Sequence, residues 1–351
     1  MRIYFMLCVS CITLLVNAQP TIEVNGFGHL EYEFYHMPDT DENISEFKLG
    51  EHDLFVNGRL NKKISFLSEI VVRQDKKTSS GFGVSLERAL IRYNYKGNHS
   101  IHIGKMHTAI NYWNDVYHHG RIFFPTIDRP LNFDFFMPIH TLGVKAAGYN
   151  LGDIGFGYDL QIANSMASTD FESEGINFSY MASARIEPVD GTRFMIGYYR
   201  DFLHHNTHGP QAHSGTYHND DYHGSIAINK FCLSIARFER KLELLNEFGY
   251  TQTATDSLGR SGNITNYTYI GYQINQKYVP FVMMDFIRIG AKELHVTRLN
   301  GIKFSLGMRL EFDPRCNLKI QLERYGGINS ISDVPGMQRK YEIKFQLAYA
   351  I

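Results

Sequence analysis

Beyond residue 18 the chain has no apolar run approaching the ~20 residues that a membrane-crossing helix needs, so helical spans are excluded from the rest of the sequence. Cysteine is sparse: two of the four, Cys8 and Cys11, fall at the N-terminus. Cys232 and Cys316 lie far apart on segments not expected to be neighbours, so no disulfide framework is expected. The formal net charge is −1, which leaves no basic surplus for a nucleic-acid partner. Catalytic signatures are missing too. No Gly-x-Ser-x-Gly elbow accompanies Ser165, Ser168 or Ser173, Gly26 and Gly28 sit in an extended segment, and Gly81 and Gly83 flank a turn. The expectation is therefore a non-enzyme that needs no cofactor. Proline is scarce, at 10 of 351 residues, which permits long uninterrupted strands.

What is present points to export and a membrane. Arg2, the apolar stretch Ile3 to Val16 and the small-residue site Val16, Asn17, Ala18 read as a signal peptide spanning residues 1–18, with a single mature domain at 19–351. The chain is rich in Phe (25), Tyr (22) and Gly (30) beside one Trp, a mixture suited to aromatic girdles on a β-barrel.

The C-terminal segment carries the main signal. Tyr341, Ile343, Phe345, Leu347, Tyr349 and Ile351 alternate with Lys340, Glu342, Lys344, Gln346, Ala348 and Ala350. Side chains on a strand point alternately to opposite faces, so one face is apolar and the other polar. Ile302 to Phe312 and Leu318 to Leu322 repeat the pattern, and Leu30, Tyr32 and Phe34 carry it near the N-terminus. These segments run to roughly ten or twelve residues, the length of a tilted membrane strand rather than of a sandwich strand.

Sixteen strands are expected, near 22–35, 47–60, 63–74, 83–96, 99–109, 141–150, 153–164, 175–188, 192–202, 221–230, 232–244, 264–275, 278–289, 301–313, 316–326 and 338–351. Short turns, one of them at Phe231, alternate with long connections at 36–46, 75–82, 110–140, 165–174, 203–220, 245–263, 290–300 and 327–337. That rhythm fits an all-β, antiparallel up-and-down transmembrane barrel with periplasmic turns, external loops and both termini periplasmic. In hydrocarbon every backbone group needs an internal partner, so the last strand is expected to pair with the first.

The third long connection holds Trp113, Tyr117, Phe123, Phe124, Phe133, Phe135 and Phe136, too many rings for a loop in water. Folded inward, it would bury them and leave its charges in the lumen. Asn111 to Gly120 (NYWNDVYHHG), Thr126 to Pro130 (TIDRP) and Pro138 to His140 resemble a segment of porin-like bacterial outer-membrane proteins. Across the mature chain the layout resembles sixteen-stranded porins. That resemblance implies passive diffusion of small polar solutes or ions through a channel narrowed by residues 110–140, in an outer membrane, with a homotrimer as the common assembly.

Candidate constriction residues are Arg121, Asp128, Arg129, Asp134, His118 and His119 on the loop, facing Arg88 and Arg92 on the wall. Lumen-facing charges such as Glu69, Arg73, Lys303, Arg309, Lys319 and Glu323 mix both signs, without the ring of one sign that a dedicated phosphate pore would show. His204, His205, His208, His213, His218 and His223 form a cluster in the fifth external loop. Imidazole suits transition metals, but the spacing matches no closed tetrahedral site. A barrel-anchored surface receptor, adhesin or metal-binding protein that uses this loop is the competing reading.

Overall fold

A computed structural model describes residues 21–75, 80–117, 120–166, 178–203, 224–239, 241–296, 298–327 and 337–351. The signal-peptide expectation lies outside these residues. Sixteen strands are described: β1 (Thr21–Met37), β2 (Glu42–Arg59), β3 (Ile64–Gln74), β4 (Phe82–Lys96), β5 (His99–His107), β6 (His140–Leu151), β7 (Phe156–Asn164) and β8 (Phe178–Val189) form the first half. The second half comprises β9 (Thr192–Leu203), β10 (Ile226–Glu239), β11 (Leu242–Thr255), β12 (Gly259–Tyr272), β13 (Tyr278–Arg288), β14 (Gly301–Asp313), β15 (Cys316–Gly327) and β16 (Lys340–Ala350). Each pairs antiparallel with its neighbours in sequence, and β1 pairs with β16 to close the barrel. Between β5 and β6 an inner loop contains α1 (Tyr112–Val116), a 3-10 turn (Arg121–Phe123) and α2 (Asn132–Phe135).

Burial follows the alternation, but inside out relative to a protein in water. On β16, Glu342, Lys344, Gln346 and Ala348 are buried while Tyr341, Ile343, Phe345 and Leu347 are exposed. On β14, Lys303 and Ser305 are buried and Phe304 and Leu306 exposed. The exposed residues form a belt. Ile103, Val144, Leu160, Ile196, Val282 and Leu306 lie along the strands, while Tyr93, Tyr95, Tyr272 and Tyr278 sit near the short-turn end and Phe47, Phe82, Phe178 and Tyr341 near the opposite rim. An aliphatic band between aromatic girdles is what a bilayer demands of a barrel exterior. Both described chain ends lie at the short-turn end, where the Ile351 amide donates to the Gly26 carbonyl at 2.9 Å.

The structure corrects the expected boundaries in the second half. Phe231 is not a turn: β10 runs straight through it to Glu239, pairing it with Tyr198 and Tyr250, and β11 begins only at Leu242. The connection expected at 245–263 contracts to residues 256–258, because β11 and β12 fill the interval, and the first connection shrinks to residues 38–41. The cause is visible on β10, where Ile226, Ile228, Cys232 and Ala236 point inward. They face apolar rings of the inner loop, so only Lys230 and Ser234 keep this inward face polar and the alternation is weakened. Cys232 and Cys316 are free thiols on separate strands.

If the belt faces lipid, Leu306→Arg should destabilise the folded barrel by about 2 to 4 kcal/mol, since a charge near the bilayer midplane must be dehydrated. Urea unfolding in phospholipid vesicles measures this; a neutral outcome, normal for an exposed site in water, would contradict the lipid assignment.

Candidate functional site: the lumen and its inner loop

The loop from Thr108 to Ile139 lies inside the barrel because its two sides match two different walls. One side is apolar. Ile110, Trp113, Phe124, Phe133 and Ile139 pack with Met181, Met195, Tyr199, Leu245, Tyr267 and Phe281 from β8, β9 and β11 to β13 into one buried cluster. Trp113 is fully buried, with edge-on contacts to Phe124, Tyr117 and Tyr267 at 5.2 to 5.3 Å. Gly197 on β9 makes room for this docking: a Cβ there would collide with the Ile110 carbonyl.

Inside the barrel the loop's own polar groups need partners, and wall side chains supply them. Asn111 caps α1 by accepting from the Asn114 amide at 3.1 Å. The Glu247 carboxylate on β11 accepts from the Trp113 amide at 2.9 Å and from Asn111 Nδ2 and Ser234 Oγ, both at 3.1 Å. Asp285 on β13 accepts from the Leu131 amide at 2.6 Å, Gln321 on β15 accepts from the Ile127 amide at 2.9 Å, and Asn317 donates to the Ile122 carbonyl at 2.8 Å. Lys230 on β10 donates to Asn132 Oδ1 at 2.8 Å.

The loop's charges are used in the same way. Asp128 lies 2.9 Å from Lys344 on β16 and 3.6 Å from Lys303 on β14. Burial works to raise its carboxyl, but these two ammonium groups hold it well below the usual range. Arg121 and Arg129 both reach Glu51 on β2, at 3.6 and 3.4 Å, and flank the Phe124 ring. Asp134 is half-buried on α2. Burial pushes its carboxyl up to about 6, while nearby Lys303 pulls the other way.

Arg88 and Arg92 stand apart from that group, on the inward face of β4. Arg88 pairs with Glu69 on β3, and Arg92 donates from Nε to His102 Nε2 at 3.2 Å. They line a cavity of about 600 Å³ at the short-turn end, bounded by β1 to β6 and the inner loop. A second cavity of about 540 Å³ shares Asn57, Leu67, Arg88, His107 and Asp115 with it. Neither cavity is lined by residues of β8 to β13, the strands that carry the wall side of the apolar cluster.

Sequence reasoning thus named two separated sets. Arg88 and Arg92 border the open cavity; Arg121, Asp128, Arg129 and Asp134 lie where the loop meets β14, β16 and β2. His118, His119 and the six histidines from His204 to His223 lie outside the described residues; among the described residues no cluster suited to a metal is present. Asp115, on the loop segment facing the cavity, was missed. It sits 3.4 Å from Arg185 and 3.5 Å from Arg193, and its place in a short N-capped helical turn was the signal that could have singled it out.

A closed sixteen-stranded antiparallel barrel with a long loop folded into its lumen is the fold of the outer-membrane porins. An anion-selective porin from Comamonas acidovorans superposes with a TM-score of 0.70 at 9% identity, covering 95% of this chain and 100% of the porin. OmpF of Salmonella typhi, solved with daunomycin, gives 0.65 at 12% identity over 94% and 97% of the two chains. OmpT of Vibrio cholerae in its trimer form gives 0.62 at 9% identity, over 95% and 100%. No protein-family model and no curated protein sequence matches the chain.

The raised Asp134 carboxyl has a testable consequence. A carboxyl whose folded pKa lies above its ordinary value of 3.8 is penalised when ionised, so folded stability rises as the pH falls through about 6. Relative to Asp134→Asn, the wild-type barrel should gain on the order of 1 to 2 kcal/mol between pH 8 and pH 4.5, read from urea midpoints in detergent. A pH-independent difference would show that the carboxyl is solvated.

Proposed function

We propose that the protein is a bacterial outer-membrane channel for passive diffusion of small polar solutes or ions, exported by means of the leader at residues 1–18. One observation carries the reading: an apolar belt encloses a polar lumen in which the inner loop packs on β8 to β13 and leaves open cavities against β1 to β6. A barrel serving only as an anchor has no need of cavities lined by Arg88, Arg92 and Asp115. The porin fold of the neighbours supports the same reading, and the trimer of the Vibrio cholerae protein supports a homotrimer here.

In this account the constriction lies between Arg88 on β4 and Asp115 on the loop, with His107 at the end of β5, three of the residues common to both cavities. Opposed charges across a narrow, partly dehydrated gap orient water and polar solutes, because the local field there is far less screened than in bulk solvent. The pairs made by Arg121, Asp128, Arg129 and Asp134 fix the position of the loop and thereby the width of the gap.

Reconstitution of the mature chain in planar bilayers tests this. Discrete, long-lived openings are expected, and Asp115→Lys should move the reversal potential in a salt gradient toward the anion equilibrium potential. A folded barrel that inserts but stays electrically silent would overturn the channel reading.

A further inference from the structure

Around the larger cavity most charges are already committed. Of its four cationic residues, Arg88 is paired with Glu69 and Lys145 lies 3.2 Å from Asp159. Of its two carboxylates, Asp115 is held between Arg185 and Arg193, and Glu23 stands near the start of β1 at the mouth. Arg59 lies at the end of β2, at the same mouth.

Arg92 is the exception within the wall. Its Nε donates to His102 Nε2, so that ring nitrogen is the unprotonated one and His102 is a neutral prop rather than a counter-charge. Among the described residues no carboxylate lies within ion-pair distance of Arg92, and its two terminal nitrogens are free to face the cavity. Two residues along the strand, on the same inward face, Leu90 stands opposite Leu67 of β3. A fixed guanidinium beside an apolar shelf is an amphipathic arrangement. The volume, about 600 Å³, falls within the roughly 300 to 1,000 Å³ typical of small-molecule sites.

We propose that this vestibule binds an organic monocarboxylate, its carboxylate on the terminal nitrogens of Arg92 and its apolar body against Leu67 and Leu90. Within the wall, away from Arg59 at the mouth, one uncommitted guanidinium matches one negative charge, since planar Arg–carboxylate pairing is bidentate and strong. The shelf disfavours fully hydrated inorganic anions, which gain nothing from contact with leucine. The inference deepens the channel reading by naming a solute class, and rests on that reading only for the route by which the anion arrives and leaves.

Isothermal titration of the full-length mature barrel, folded in detergent, tests it with sodium benzoate, benzyl alcohol and inorganic phosphate as probes. Benzoate is expected to bind, with Arg92→Gln weakening it by about tenfold or more and Leu90→Asn weakening it as well, while the neutral alcohol and phosphate give no comparable heat. Circular dichroism confirms that each variant is folded. Unchanged benzoate affinity in folded Arg92→Gln, or phosphate or benzyl alcohol binding as tightly as benzoate, would overturn the site, as would absence of benzoate binding. Conductance of the same preparation separates the two readings: an open channel that ignores benzoate removes the site alone, and a silent barrel that binds it removes the channel alone.

Discussion

The pairing of β1 with β16, running from Phe27 opposite Ala350 to His36 opposite Tyr341, is the contact on which everything else depends. A sheet whose outer face is apolar enough for lipid cannot leave an edge there, because each unpaired backbone amide or carbonyl in hydrocarbon costs several kcal/mol. Closure removes both edges at once. It also creates an enclosed interior, and that interior is where the polar half of every strand must go. The exposed leucines and isoleucines and the buried lysines and glutamates are two consequences of one ring of hydrogen bonds.

Enclosure then poses a second problem, which the inner loop resolves. A lumen bounded by sixteen strands is wide, and a loop entering it takes its own backbone groups out of bulk water. The strands answer with side chains: Glu247, Asp285 and Gln321 accept loop amides, and Lys303, Lys344 and Glu51 neutralise loop charges. The apolar cluster around Trp113 fixes the loop against β8 to β13. Because both sides of the loop are fastened, the two cavities are left between it and β1 to β6, and Arg88 and Arg92 of β4 line them.

The barrel was legible wherever the inward face of a strand is polar throughout. On β14 and β16 inward positions are Lys, Glu, Gln and Ser, so alternation shows plainly and the strand positions agree to within a few residues. It failed on β10, where Ile226, Ile228, Cys232 and Ala236 interrupt the inward polar positions Lys230 and Ser234 and leave the alternation ambiguous, and the misplaced end of β10 displaced β11 and β12 with it. A turn at Phe231 was the price of that ambiguity. The inward folding of the loop could be read from its aromatic density. Its charge partners could not, since Asp128 and Lys344 are separated by most of the chain, and only the closed ring brings β16 beside the loop. Asp115 is hidden among the aromatic residues of the same segment, and its partners Arg185 and Arg193 come from β8 and β9, far away in sequence.

The inside-out arrangement is tested most directly by two adjacent positions on one strand, Ile91 and Arg92, exposed on opposite faces of β4. Single cysteines placed there, in a background lacking the native thiols, should respond differently in membranes. A charged, membrane-impermeant thiol reagent should modify Arg92→Cys from the aqueous lumen and leave Ile91→Cys untouched, while quenching by brominated acyl chains should show the reverse order for attached fluorophores. Equal modification of both in detergent-free solution would mean that the apolar face is not covered by lipid, and the account would fail.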